Sequence, residues 1–231
     1  MSENKRIDLH THSFLSDGAL LPSELLRRAP VMGHRALAIT DHADASNLAT
    51  LIDALKRVIR EQPGDFETQL LIGVELTHVG PASIDKLARR AKALGAEIVV
   101  VHGETIVEPV APGTNRAAAD SAAVDILAHP GFLTLEEARI IAERGGYVEI
   151  TARKGHSLTN GHVARICREA GAKMVLDTDA HAPSDLITHA FARLVAAGAG
   201  LSEEEVLAAT ETNPQALLAR ALELRRGYGW A

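Results

Sequence analysis

Short apolar runs alternate along the chain with stretches in which apolar residues recur at helical spacing. Seven runs read as strands: RIDLHTH from Arg6, RALAITDH from Arg35, LLIGVELTH from Leu70, EIVVVHGE from Glu97, VDILAHPG from Val124, YVEITARK from Tyr147 and KMVLDTDAH from Lys173. Between them, Leu48, Leu51, Ile52, Leu55, Val58 and Ile59 follow the i, i+3, i+4, i+7 rule, which gathers them on one helix face and leaves Lys56, Arg57 and Arg60 elsewhere. The same spacing recurs at Leu87, Ala91 and Leu94, and at Val163, Ile166, Cys167 and Ala170, so Cys167 is expected on a buried stripe. Helix starts are marked by Thr134 three residues before Glu137, by Ser202 three before Glu205, and by Asn213 ahead of Pro214. This alternation predicts β-α units around a mainly parallel sheet. About seven such units predict a barrel, because a doubly wound sheet would normally carry a glycine-rich fingerprint after its first strand, and none is present. The longest stretch without a period, residues 103–115, is expected to be a functional loop within a single domain spanning residues 1–231.

Charge and composition narrow the partners. With 24 Lys and Arg against 30 Asp and Glu, the formal charge is −6, which gives no general attraction to a phosphate backbone. A single Cys excludes an intramolecular disulfide. The opening residues hold no apolar core of a signal peptide, and no apolar run reaches membrane length, so a cytoplasmic protein without membrane partners is expected. The unusual feature is 11 His beside 2 Tyr, 1 Trp and 4 Phe.

Those histidines are not scattered. Each strand run is apolar through its middle and ends in polar residues: His10 and His12, Asp41 and His42, Glu75 and His78, His102, His129, Glu149 and Arg153, Asp179 and His181. In a parallel barrel these ends all lie on the C-terminal face, where active sites are built. Alternate residues of a strand share a side, so the pairs His10/His12 and Asp179/His181 are each expected to aim both members inward as a chelate. A metal centre follows from the set rather than from any one imidazole.

DLHTHS with the following SDG, then ITDH, GVE, VVVHGE, ILAHPG and TDAH, in this order over residues 7–181, resemble the PHP (polymerase and histidinol phosphatase) family. The resemblance implies a distorted seven-stranded β/α barrel with a trinuclear metal centre at the C-terminal ends of the strands. Matched motif by motif, it implies one ion held by His10, His12, Glu75 and Asp179, and a second by Glu75, His102 and His129. A third would be held by Asp17, His42 and His181. Asp17 stands where some members carry His, which leaves a hard ligand but sets the third site apart. Two to three divalent ions, Zn, Mn or Fe, are thus the expected cofactors. Three ions against three carboxylates leave the centre with roughly three positive charges, which favours an anionic guest such as phosphate. Ions about 3.5 to 4 Å apart can hold a bridging hydroxide as nucleophile for ester hydrolysis.

Around this centre, Asp8, Asp41 and Asp177 are read as carboxylates that orient ligating imidazoles or cap loops. Arg153 and Lys154 after the sixth strand and Arg116 after the long loop are candidate phosphate contacts, and His156 is a candidate substrate contact or acid for the leaving group. With Glu75 and Asp17, His156 and Arg153 make up the expected catalytic set. His34, His162 and His189 are expected in solvent, and Glu104 and Glu149 have no assigned role. The leading expectation is a phosphatase acting on a small phosphorylated metabolite of the histidinol phosphate or nucleotide class. A phosphodiesterase or exonuclease acting on short oligonucleotides is the first alternative. The second is a noncatalytic RNA-binding subunit, because VVVHGE, TNRAA and VDIL also look like the barrel protein of ribonuclease P.

Overall fold

The computed structural model describes residues 6–62 and 64–228, so both ends of the expected 1–231 domain lie outside the described residues. The strands are β1 (Arg6–Thr11), β2 (His34–Ile39), β3 (His42–Ala43), β4 (Gln69–Leu76), β5 (Ile98–His102), β6 (Ile126–Ala128), β7 (Tyr147–Thr151) and β8 (Lys173–Asp177). Seven of them pair in parallel in the order β1-β2-β4-β5-β6-β7-β8, and the two-residue β3 joins β4 beyond the end of β2. A bridge between Thr11 and Ala180 brings the first strand back to the segment after the last, so the barrel is nearly closed. Helices α1 (Pro22–Arg28), α2 (Leu48–Glu61), α3 (Pro81–Ala93), α4 (Thr114–Asp120), α5 (Leu135–Glu143) and α6 (Asn160–Ala170) fall between strands, and α7 (His189–Gly198), α8 (Glu203–Leu207) and α9 (Asn213–Tyr228) follow β8.

Alternation along the strands sorts the apolar residues into two cores. Leu70, Ile72, Val74, Val99 and Val101 pack outward against Leu48, Leu51, Ile52 and Leu55 of α2 and the apolar faces of other helices. Leu71, Ile98, Val100, Ile126, Val175 and their neighbours fill the barrel interior, where Leu217, Leu218 and Ala221 of α9 join them. Cys167 lies fully buried on the inner face of α6, and burial pushes its thiol up to about 12. Among the described residues, no helix is long and apolar enough to cross a membrane.

Local chemistry explains where the expected elements hold and where they break. Thr134 and Ser202 both form capping boxes, with Glu137 and Glu205. Asn213 does not cap: the chain runs from α8 through a wide π turn at Ala208–Thr212 into α9, and the Asn213 amide donates instead to the Met174 carbonyl at 2.7 Å. Pro214 lacks the N–H that would continue the α-helical ladder, so the altered turn sits where a bond is missing. The run RALAITDH divides into β2 and β3 because Asp41, between them, turns to accept from the Ser13 amide and hydroxyl, each at 2.7 Å. His34 begins β2 fully buried, with Nε2 against the Ile187 carbonyl. His162 and His189 are partly buried, paired with the Leu133 carbonyl and Glu211. None of these three histidines is the solvated side chain expected of it, since Nε2 of each meets a polar group of the fold.

Helix α9 also carries a buried, two-pronged ion pair. Arg225 grips the fully buried Glu97 with Nε at 2.6 Å and Nη2 at 2.7 Å, and Nη2 reaches the Leu70 carbonyl as well. Glu97 in turn receives the Ile72 amide, so the pair links α9 to the N-terminal half of the barrel. Replacing Arg225 by Met leaves a buried carboxylate without its counter-charge. That should cost about 3 to 5 kcal/mol, read as a lowered midpoint in urea denaturation; a midpoint within error of the parent would show that α9 is not a keystone.

Candidate metal centre

Seven segments deliver polar side chains to the C-terminal mouth. β1 brings His10, with His12 just past its end; β3 begins at His42, β4 carries Glu75, β5 ends at His102, and His129 follows β6. Asp179 and His181 follow β8, and Asp17 comes from the turn after β1. That turn is pressed onto its strand at Gly18, where a Cβ would lie 2.4 Å from the His12 carbonyl oxygen. His129 and Asp179 hold left-handed backbone, with φ of 27° and 51°, a conformation that costs about 1 to 3 kcal/mol and collects at functional sites.

Glu75 is the hub. Its Oε1 lies 3.3 Å from His10 Nε2, 3.3 Å from His102 Nδ1 and 3.6 Å from His129 Nε2. Its Oε2 lies 3.0 Å from His42 Nε2 and 3.9 Å from His12 Nε2. Asp179 faces His12 Nε2 and His181 Nδ1 with Oδ1 at 3.2 and 3.3 Å, and His129 with Oδ2 at 3.7 Å. Asp17 Oδ1 is 3.3 Å from His181 and 3.6 Å from His42. The nine residues thus fall into groups whose ligand atoms lie within 4.8 Å of one another: His10, His12 and Asp179; Glu75, His102 and His129; and Asp17, His42 and His181 with His12.

Charge separation is strong here. Burial works to raise the Glu75 carboxyl, but His10 and His102 hold it well below the carboxylate range. Asp179 is likewise depressed against its burial, by His10 and His12. Burial depresses His12 to about 4, whereas for His10 the neighbouring Glu149, Glu75 and Asp179 outweigh burial and hold it high.

The donor set fits divalent metal ions. Among the described residues, His10 Nε2, both nitrogens of His12, His102 and His129, and Glu75 Oε1 are buried without a hydrogen-bond partner. Each such atom costs about 1 to 3 kcal/mol unless something satisfies it. Imidazole and carboxylate donors at these separations suit Zn, Mn or Fe.

The residues around the donors depart from expectation. Glu149, given no role by pattern, hydrogen-bonds His10 Nδ1 at 2.6 Å and leaves Nε2 facing the centre. A charged residue in the middle of a buried strand was the available signal. Asp8, Asp41 and Asp177 do not orient imidazoles: they hold Thr178, Ser13 with Ser16, and the Leu9 amide. The pairing of β1 with β2 shifts between Asp8 and Thr11, so alternation does not run unbroken from Asp8 to His10, and Ile7 and Leu9 pack with the barrel interior. Arg153 stands at the mouth, its Nε 3.9 Å from Asp179 and its Nη1 3.1 Å from Asp185. His156 stacks on His129 with ring centroids 4.3 Å apart and pairs through Nδ1 with the Thr105 hydroxyl. Arg116 is not brought to the centre; exposed on α4, it pairs with Asp120 and Glu136. Glu108, on the long loop and unsignalled by any motif, reaches in to lie 3.1 Å from His102, 3.3 Å from His78 and 3.4 Å from His156. Glu104 pins the base of that loop by accepting from the Gly113 and Asn115 amides.

Comparison with known proteins places the chain in a family. The PHP domain profile matches residues 8–93. An uncharacterized protein of Methanocaldococcus jannaschii is 52% identical over 217 residues, covering 93% of this chain and 99% of the relative. The chain belongs to the PHP family. Ribonuclease P protein component 3 of Methanosarcina mazei is 27% identical to this PHP protein, over 94% of the chain and 90% of the relative. The crystal structure of histidinol phosphate phosphatase from Lactococcus lactis, complexed with zinc, L-histidinol and phosphate, superposes with a TM-score of 0.61 at 17% identity, covering 86% of this chain and 95% of that one. At that identity the likeness carries the fold.

The Glu149 contact yields a direct test. Glu149→Ala removes the acceptor that fixes the His10 ring, and losing such a partner typically costs about 10 to 100-fold in metal affinity. Competition against a zinc indicator should show that loss with the far-ultraviolet dichroism unchanged; full affinity in the variant would remove Glu149 from the site.

Proposed function

We propose that this PHP protein is a metal-dependent phosphoesterase that hydrolyses a phosphomonoester of a small metabolite. The observation that carries the reading is the cluster of buried donors without hydrogen-bond partners around Glu75, which opens into a cavity of about 70 Å³ bounded by Asp17, His102, Arg153, His156 and His181. A space of that size is on the scale of a phosphoryl group rather than of a whole metabolite. Two to three divalent ions held by His10, His12, Asp17, His42, Glu75, His102, His129, Asp179 and His181 would supply water activation and neutralise phosphoryl charge.

The chain's own side chains account for the remaining work. Arg153 presents a guanidinium to the cavity and can hold a phosphate oxygen. His156 borders the cavity with Nδ1 paired to the Thr105 hydroxyl; burial lowers its pKa to about 4, so the neutral ring can offer Nε2–H as a hydrogen bond to a substrate oxygen, and the departing alkoxide takes up a proton released by the attacking water. Water adds to phosphorus, the P–O ester bond breaks, and alcohol and inorganic phosphate leave. Glu75 lies between the donor groups, its carboxylate within 4 Å of five imidazoles.

A second reading, an RNA-binding subunit without catalysis, is favoured by the near full-length likeness to the Methanosarcina ribonuclease P component. It leaves the intact donor set without a use.

Phosphate release from a panel of monoesters, diesters and short oligonucleotides tests the reading on manganese-reconstituted protein. Monoesters should turn over, and Glu75→Gln should lower kcat by about two to three orders of magnitude, the scale of losing one preorganised electrostatic group. Shortening of oligonucleotides without monoester turnover would make the protein a nuclease. RNA gel shifts with no hydrolysis at all would favour the subunit reading.

A further inference from the structure

Arg153 lines two cavities. On one side is the 70 Å³ space above the candidate metal ligands; on the other is a cavity of about 490 Å³ lined by Lys154, Thr178, Ser184, Asp185, Ile187 and Phe191. The two share Arg153, whose guanidinium pairs with Asp185 of the larger cavity at 3.1 Å. The smaller space is too small for a whole ester, so its organic remainder would extend toward a neighbouring opening, and a volume of a few hundred Å³ is the size of a small-molecule site.

The lining states which chemistry fits. Ile187 and the half-exposed ring of Phe191 give one apolar wall. The charges opposite do not cancel: Asp185 Oδ2 already accepts from Arg153 Nη1 and from the His181 and Ala182 amides, at 3.0 and 2.9 Å for the last two. Lys154, an exposed side chain on the same lining, has no hydrogen-bond or ion-pair partner among the described residues. The uncompensated charge of this cavity is therefore positive.

Resting on the phosphoesterase reading above, we propose that this side cavity binds the non-reacting part of the substrate, and that the part it takes is an apolar, ring-bearing group ending in a second anion. Lys154 and Phe191 are then specificity-determining residues. An ester whose remainder ends in an ammonium group is the disfavoured class.

The test uses manganese-reconstituted full chain and three ring compounds that differ only in the para substituent: hydrogen, carboxylate or aminomethyl. As benzyl phosphonates they are bound without turnover, and as phenyl phosphates they are hydrolysed. Calorimetry should show the carboxylate phosphonate binding more tightly than the aminomethyl one by about fivefold, the scale of one exposed charge pair. Lys154→Glu should invert the order, and Lys154→Gln should level it. Phe191→Ala should weaken all three alike, by about threefold to tenfold. In hydrolysis the same order should appear in KM rather than kcat. Equal affinities for the three phosphonates, or an order that Lys154→Glu leaves unchanged, would overturn the proposal even with phosphatase activity present. The expected binding order with no turnover of any phosphate ester would instead sink the phosphoesterase reading and leave the cavity's preference standing. Binding of none of the phosphonates would overturn both.

Discussion

Glu75 stands fully buried with five imidazoles within 4 Å, and the C-terminal half of the barrel is organised around making that arrangement tolerable. An ionised carboxylate without solvent is expensive, and imidazoles that find no hydrogen-bond partner add to the cost. The strained backbones of His129 and Asp179 and the His10–Glu149 contact all serve to hold donors that would otherwise move apart or turn to water. The opposite half of the barrel has another character. There Leu71, Ile98, Ile126 and Val175 make a dry core, closed by α9 and anchored by the Arg225–Glu97 pair. Stability thus resides at one end, and the candidate chemistry at the other.

Much of this was legible in the sequence because it follows from periods. The two-residue alternation separated inward from outward residues on β4, β5 and β8, and polar residues at the ends of apolar runs identified the mouth. All nine residues expected as ligands are brought within reach of their neighbours. What escaped has identifiable causes. A register shift in β1 broke the alternation that would have placed Asp8 beside His10. Arg116 was placed by proximity in sequence to the long loop, but two carboxylates on the outer helices hold its side chain. Glu108 belongs to a loop with no period, and only tertiary folding brings it to His102. Glu149 was visible as a charge in a buried strand, yet alternation alone could not say which imidazole it would meet.

The larger side cavity gives the mouth an asymmetry that the metal ligands alone do not have. The two cavities, of about 70 and 490 Å³, share Arg153, so on the proposed reading one residue would border both the reacting group and the rest of the substrate. On the proposed reading, substrate choice would rest on Lys154, Ile187 and Phe191, none of which lies in the motifs that carry the family resemblance.

The central claim is that the buried donors around Glu75 exist to hold metal ions. Anomalous diffraction from crystals of the manganese-reconstituted protein, recorded at the metal edge, tests it most directly. Two or three anomalous peaks should lie among His10, His12, Asp17, His42, Glu75, His102, His129, Asp179 and His181, with Glu75 shared between two of them. A mouth without an anomalous peak, its imidazoles and carboxylates closed on one another by hydrogen bonds, would contradict the account.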